Sequence, residues 1–240
     1  MLAIEIKKLT KKFKEKTAVN EIDLKINKGE LFALLGTNGA GKTTTIKMLS
    51  TLILPTDGEI KINGLDIIKD RQKIKEILNV SPQETAIAPN LSVLENLEFM
   101  AGVYQIPKKQ EKIDKLVKLF KLEEVLKQKA KTLSGGWQRK VSIAISLIND
   151  PEILFLDEPT LGLDVIARKE LWKVIENLKG KITIILTTHY MEEAESLSDR
   201  IGIMAKGKLI DVGTAKELIE KAGTNNFEDA FVKIATGGEL

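Results

Sequence analysis

The sequence predicts an α/β fold, a parallel sheet joined by an antiparallel β side layer and an inserted helical lobe, and three features point to it. The runs 153–156 and 182–186 are continuously apolar, as in strands buried on both faces of a parallel sheet. Leu2, Ile4 and Ile6, then Ile22, Leu24 and Ile26, alternate with polar residues, as in half-buried antiparallel strands. Between the apolar run 31–35 and a helical stretch 44–52 lies Gly36-Thr37-Asn38-Gly39-Ala40-Gly41-Lys42-Thr43, which gives strand, glycine loop and helix in order.

Taken along the chain, Phe13 is expected in the loop between the first two strands. Residues 58–62 read as a strand, and Asn63-Gly64 as a hairpin turn leading into 65–67. Val80-Ser81-Pro82-Gln83 marks a strand end and a break. Helical periodicity then covers 91–104 and 108–127, the second with a stripe of Ile113, Leu116, Val117 and Phe120 and an otherwise charged, solvated face. The helical lobe is therefore assigned to 84–150, and the α/β lobe to 1–83 and 151–240. Two further strands at 200–204 and 209–212 and a helix at 227–235 complete the α/β lobe.

The bulk properties narrow the classes. With 240 residues and 43% hydrophobic content the chain can bury a sizeable core. No apolar run approaches the roughly 20 residues that span a bilayer. The N-terminus Met-Leu-Ala-Ile-Glu-Ile lacks the charged and apolar regions of an export leader, so a cytoplasmic location is expected. The absence of cysteine excludes disulfides and thiolate metal sites, and a net charge of +3 gives no reason to expect nucleic acid.

The chemistry lies in the loop and in two later motifs. Glycines at 36, 39 and 41 let the backbone of residues 36–44, including Thr37, Asn38, Ala40 and Thr44, turn consecutive N–H groups toward phosphate oxygens at a helix N-terminus. Lys42 supplies a point charge for the outer phosphates and Thr43 a hydroxyl for Mg²⁺. Asp157 and Glu158 follow a buried strand, the edge where open α/β sheets bind ligands. Asp157 is placed to hold Mg²⁺ through its water shell, and Glu158 to accept a proton from an attacking water. Ser134-Gly135-Gly136 before a helix is a second anion-binding geometry, which a chain with one phosphate cradle does not need for the same nucleotide.

With Leu133-Ser134-Gly135-Gly136-Trp137-Gln138 the chain resembles the nucleotide-binding subunit of an ABC transporter. The resemblance covers nearly the whole chain and implies a P-loop NTPase (RecA-like) core, ATP and Mg²⁺ as ligands, and ATPase activity. It implies that Ser134, Gly135 and Gly136 face the ATP of a second ATP-binding subunit, in a homodimer that sandwiches two nucleotides. Phe13 matches the aromatic residue that stacks on adenine, and Val19 its apolar neighbour. Gln83 matches a glutamine that senses Mg²⁺ and the γ-phosphate, and Leu161-Gly162-Leu163-Asp164 a loop that crosses the dimer interface. His189, the only histidine, matches the switch histidine at the γ-phosphate, so Glu158, His189 and Lys42 form the expected catalytic set.

Two departures from the pattern touch no phosphate ligand. Trp137 stands where a glutamine often follows Ser-Gly-Gly, and Phe13 lacks the hydroxyl of the usual tyrosine. The stretches 162–168, 188–195 and 227–231 are similar to the drug-resistance and polysaccharide exporter branch, whose membrane permease is a separate polypeptide. This implies a peripheral position on the inner face of the cell membrane, with Ile87, Leu91 and Phe99 as candidate contacts to that permease. Chromosome-organising relatives insert long coiled coils between the lobes, and translation-factor relatives carry two motif sets; this chain has neither. A small-molecule kinase would share the glycine loop without Ser134-Gly-Gly-Trp.

Overall fold

A computed structural model describes residues 1–238. The N-terminal alternation becomes strands β1 (Leu2–Phe13) and β2 (Lys16–Asn27), antiparallel and joined at Lys14-Glu15. Phe13 ends β1, paired with Lys16, and does not lie in a loop; a left-handed Lys14 (φ 52°) makes the connection tighter than expected. With β4 (Asp57–Ile62) and β5 (Leu65–Asp66), these strands form a four-stranded sheet in the order β2-β1-β4-β5. Asn63 and Gly64 both take positive φ between β4 and β5, as their hairpin signal requires.

The main sheet has six strands in the order β10-β9-β3-β8-β7-β6. β3 (Leu31–Gly36), β6 (Leu78–Ser81), β7 (Ile153–Asp157), β8 (Thr183–Thr188) and β9 (Arg200–Ala205) run parallel, and β10 (Lys208–Gly213) returns antiparallel to β9. Strand pleating divides their side chains between two cores. Ile153, Phe155 and Ile185 face the β side layer together with Phe32 and Leu34, and pack with α1 (Lys42–Leu49) and α2 (Arg71–Ile77). Leu154, Leu156, Ile184 and Leu186 face the other way, into a cluster that extends through the helical region.

That region holds α3 (Val93–Val103), α4 (Lys109–Phe120) and α5 (Gly135–Ser146) between β6 and β7. α4 buries Ile113, Leu116, Val117 and Phe120, the stripe read from the sequence, but ends at Phe120, seven residues early. Lys121 takes the left-handed conformation there (φ 55°) and closes the last turn. The last eight residues of α5, from Arg139 to Ser146, are all buried, and their apolar side chains share one core with Leu154 and Leu186. The helical lobe is thus anchored to the sheet through α5 and has no separate core at the 150/151 boundary.

α6 (Val165–Leu178) and α7 (Met191–Leu197) follow β7 and β8, and α8 (Ala215–Ala222) and α9 (Phe227–Thr236) close the chain over β9. Among the described residues, no helix is long and apolar enough to cross a membrane.

Candidate functional site

The C-terminal ends of β3, β6, β7 and β8 bring Gly36, Ser81, Asp157 and Thr188 to one edge of the sheet. A cavity of about 660 Å³ opens there, within the range of small-ligand sites. Its walls include Asn38, Gly39, Ala40, Gly41, Lys42, Thr43 and Thr44 from the glycine loop, with Gln83, Glu158 and His189. Residues as far apart in the chain as Asn38 and His189 therefore meet around one space.

The loop's shape depends on two glycines. A Cβ at Gly36 would come 2.4 Å from the Met204 carbonyl oxygen, and one at Gly41 2.6 Å from that of Ala18, where φ is also +106°. Gly41 is the N-cap of α1 and has no side chain to accept from the first-turn N–H groups. A phosphate fits that unfilled role.

Lys42 is buried beneath the loop, its Nζ donating to the carbonyls of Gly36 (2.8 Å) and Thr37 (3.3 Å). The same Nζ lies 3.4 Å from Glu158 Oε1. Thr43 Oγ1 donates to Asp157 Oδ1 at 3.1 Å, so a hydroxyl and a carboxylate present hard oxygens side by side. Among the described residues no cluster of three or more His, Cys, Asp or Glu could hold a metal alone. The pair fits Mg²⁺, which binds through one or two protein oxygens and substrate phosphates.

Thr187, which the sequence reading does not single out, organises the two carboxylates. Its hydroxyl donates to Asp157 Oδ1 at 2.5 Å and accepts from the Glu158 N–H at 3.1 Å. Glu158 takes a left-handed φ of 47°, a conformation non-glycine residues adopt at a cost and often at functional sites. His189 Nδ1 is 3.3 Å from Glu158 Oε2 without hydrogen-bonding geometry, and its ring packs on Tyr190 at 4.2 Å between centroids.

Gln83 reaches the cavity from a segment secured at both ends. The buried Arg139 of α5 donates Nη1 to the Pro82 carbonyl at 2.6 Å and Nη2 to the Gln83 carbonyl. Burial lowers the guanidinium's pKa, opposed by the nearby Asp157 and Glu193 carboxylates. At the other end, Asn96 of α3 accepts from the Ala88 N–H and donates to the Ala88 and Ser92 carbonyls.

Nine of the expected ligands do not line the cavity: Gly36, Thr37 and Asp157 bond to Lys42 or Thr43, which do, and six others lie outside it. Phe13 is 48% exposed with Lys11 Nζ 5.0 Å from its ring centre, and Val19 is buried beneath the loop beside Gly41. Between them Lys16, Thr17 and Ala18 form the wall, joined across the mouth by Lys206 and Gly207, none of which the sequence reading identifies. Asp164 is exposed and caps α6, accepting from the N–H groups of Ile166 and Ala167. Ser134 and Gly135 are exposed at the start of α5, with Gly136 half-buried, and Ser134 makes no capping bond. Trp137 packs under the Lys140 ammonium at 4.5 Å, while Gln138 Nε2 donates to the carbonyls of Ala130 and Leu133 and fixes the turn before Ser134.

Residues 19–161 match the family model described as ABC transporter. The chain is 38% identical over 239 residues to the probable multidrug ABC transporter ATP-binding protein YbhF of Escherichia coli (strain K12), an alignment covering 96% of this chain and 41% of that protein. It thus spans less than half the length of that relative. It is 36% identical over 238 residues to the linearmycin resistance ATP-binding protein LnrL of Bacillus subtilis (strain 168), covering 98% of this chain and 75% of LnrL. A dimeric structure of a post-hydrolysis state of the ATP-binding cassette MJ0796, bound to ADP and Pi, superposes with a TM-score of 0.80 at 26% identity, covering 88% of this chain and 98% of that one.

Proposed function

Because the chain belongs to the ABC transporter family, we propose that it is an ATP-hydrolysing subunit that closes with a second copy around two MgATP. Closure and reopening drive export through a separate integral-membrane subunit on whose cytoplasmic face it sits. The observation that carries this reading is the position of Ser134. An uncapped helix start with two glycines stands exposed, away from the cavity that already contains a complete phosphate loop. Such a terminus suits the nucleotide of a partner, and the similarity to a dimeric ADP- and Pi-bound cassette supports the pairing.

In this account the glycine loop and Lys42 hold the triphosphate, and Thr43 and Asp157 would hold Mg²⁺, which when bound neutralises phosphate charge. A water oxygen attacks the γ-phosphorus while Glu158 takes the water's proton, the bond to the β–γ bridging oxygen breaks, and ADP leaves. His189, beside Glu158, orients the γ-phosphate. Gln83 reports the state of the site to residues 84–150, which move against the α/β lobe. Phe99 and Val103, one helical turn apart on α3, are exposed and offer an apolar contact to the permease. Ile87 instead packs onto the helical core and is a poorer candidate.

The test is the association state of Glu158→Gln, which should bind ATP without releasing it as product. Light scattering should show monomers without nucleotide and dimers with MgATP. A variant that binds ATP and stays monomeric would overturn the sandwich.

A further inference from the structure

Glu193 is fully buried in α7 and has no part in the chemistry above. Its Oε1 accepts from Thr160 Oγ1 at 2.8 Å and from Trp172 Nε1 at 3.0 Å, while the Thr188 hydroxyl lies near the carboxyl and Oε2 has no partner of hydrogen-bonding geometry. The two partners belong to different elements, a turn and a helix. Thr160 lies two residues after Glu158, in a turn closed by the Leu161 N–H donating to the Glu158 carbonyl. The same Thr160 accepts, through its carbonyl, from the Leu163 N–H, so it also anchors the segment ending at Asp164. Trp172 belongs to α6, which Asp164 caps. Glu193 itself stands on the helix whose first turn leaves His189 and Tyr190, with the Ala194 N–H donating to the Tyr190 carbonyl.

We propose that Glu193 is a positioning residue that fixes Glu158 and His189 relative to one another and to the segment 161–164, without touching nucleotide. The inference rests on the assignment of Glu158 and His189 above. A buried acceptor that joins these elements transmits a displacement of residues 161–164, the stretch expected at the partner interface, to both reacting groups. The charged groups facing it are Arg168 of α6, whose guanidinium also lies 5.4 Å from the Tyr190 ring centre, and Arg139 of α5. Burial pushes the Glu193 carboxyl above its ordinary range, against the opposing pull of the Thr188 and Thr160 hydroxyls, Trp172 and Arg168. The amide of glutamine has the same shape and presents an oxygen to Thr160 and Trp172.

The experiment is steady-state ATPase of the full chain with Glu193→Ala, Glu193→Gln and Thr160→Val, alongside Glu158→Gln as the reference. A misplaced catalytic group costs on the order of 10²-fold, so Glu193→Ala and Thr160→Val should lower kcat by roughly 10- to 100-fold. KM for ATP should stay within about twofold, because the phosphate loop is untouched. Glu193→Gln should recover kcat to within about threefold of wild type, since its amide oxygen accepts the same two bonds. Thr160→Val cuts one link while leaving the buried carboxyl in place, and so decides the matter if Glu193→Ala does not fold. Wild-type kcat in Thr160→Val, or a Glu193→Gln variant as slow as Glu193→Ala, would overturn the inference. If Glu158→Gln itself turns over normally, the fault lies with the assignment of the base, and Glu193 loses its proposed role with it.

Discussion

Lys42 Nζ and Glu158 Oε1 lie 3.4 Å apart, and both side chains are buried. The lysine that should meet the outer phosphates and the carboxylate that should take the water's proton are thus held as one unit at the bottom of the cavity. Truncating one member of a buried pair strands the other charge, whereas an isosteric amide keeps the shape and a hydrogen-bonding oxygen. Glu158→Gln should therefore retain ATP binding while steady-state turnover falls by roughly 10²-fold or more, the scale of a general base. Paired binding and ATPase measurements check it, and near wild-type turnover would remove Glu158 from its role.

Thr187→Val keeps the shape of a fully buried side chain but removes the hydroxyl between Asp157 and the Glu158 N–H. Asp157 Oδ1 then keeps only Thr43 Oγ1 and the Glu158 N–H only the Thr187 carbonyl, and the two lost bonds should cost about 1–3 kcal/mol of stability. Denaturant titration should show that loss, together with reduced Mg²⁺-dependent ATPase activity. Unchanged stability would mean that Thr43 and the Thr187 carbonyl satisfy the two groups by themselves.

Glu193 predicts a pH dependence. Its carboxyl is raised by burial in the folded chain, so between the unfolded and folded pKa values the native state binds the extra proton. Its contribution to stability is present below the ordinary glutamate value and is lost as pH rises through the folded value. Glu193→Gln removes this titration, and Tm of the variant relative to wild type should climb across that window. A Tm difference that does not vary with pH would contradict the raised pKa.

Phe99 on α3 is 60% exposed and is not part of the helical core. Phe99→Asp should leave the fold and the ATPase activity of the isolated chain intact and abolish co-purification with the membrane subunit. If the variant still co-purifies and supports transport, the docking surface is elsewhere.

The parallel strands were legible because burial on both faces demands unbroken apolar runs, as at β7 and β8, and the phosphate loop because its backbone requires particular glycines. Other features left little trace in local sequence. α7 is seven residues long, shorter than the window in which helical periodicity stands out. The end of α4 falls on Lys121 and the β1–β2 turn on Lys14, both left-handed without the glycine or asparagine that signals such a conformation. Thr187 and Glu193 act through partners 21 to 33 residues away, so their roles arise only when β7, β8, α6 and α7 pack. The wall formed by Lys16, Thr17 and Ala18 was missed for a related reason: the alternation that predicts β2 does not show which end of it reaches the loop.

In the proposed sandwich each working site is built from two chains, the phosphate loop of one facing Ser134 of the other. Chains carrying Lys42→Ala and chains carrying Ser134→Arg should each be inactive alone, since every site in either homodimer has one defective half. Mixed in equal amounts, they should form heterodimers in which one site has both intact halves, and ATPase activity should reappear. If the mixture stays as inactive as its parts while light scattering shows that the two chains associate, or if either variant alone hydrolyses ATP at the wild-type rate, the two-chain site is contradicted.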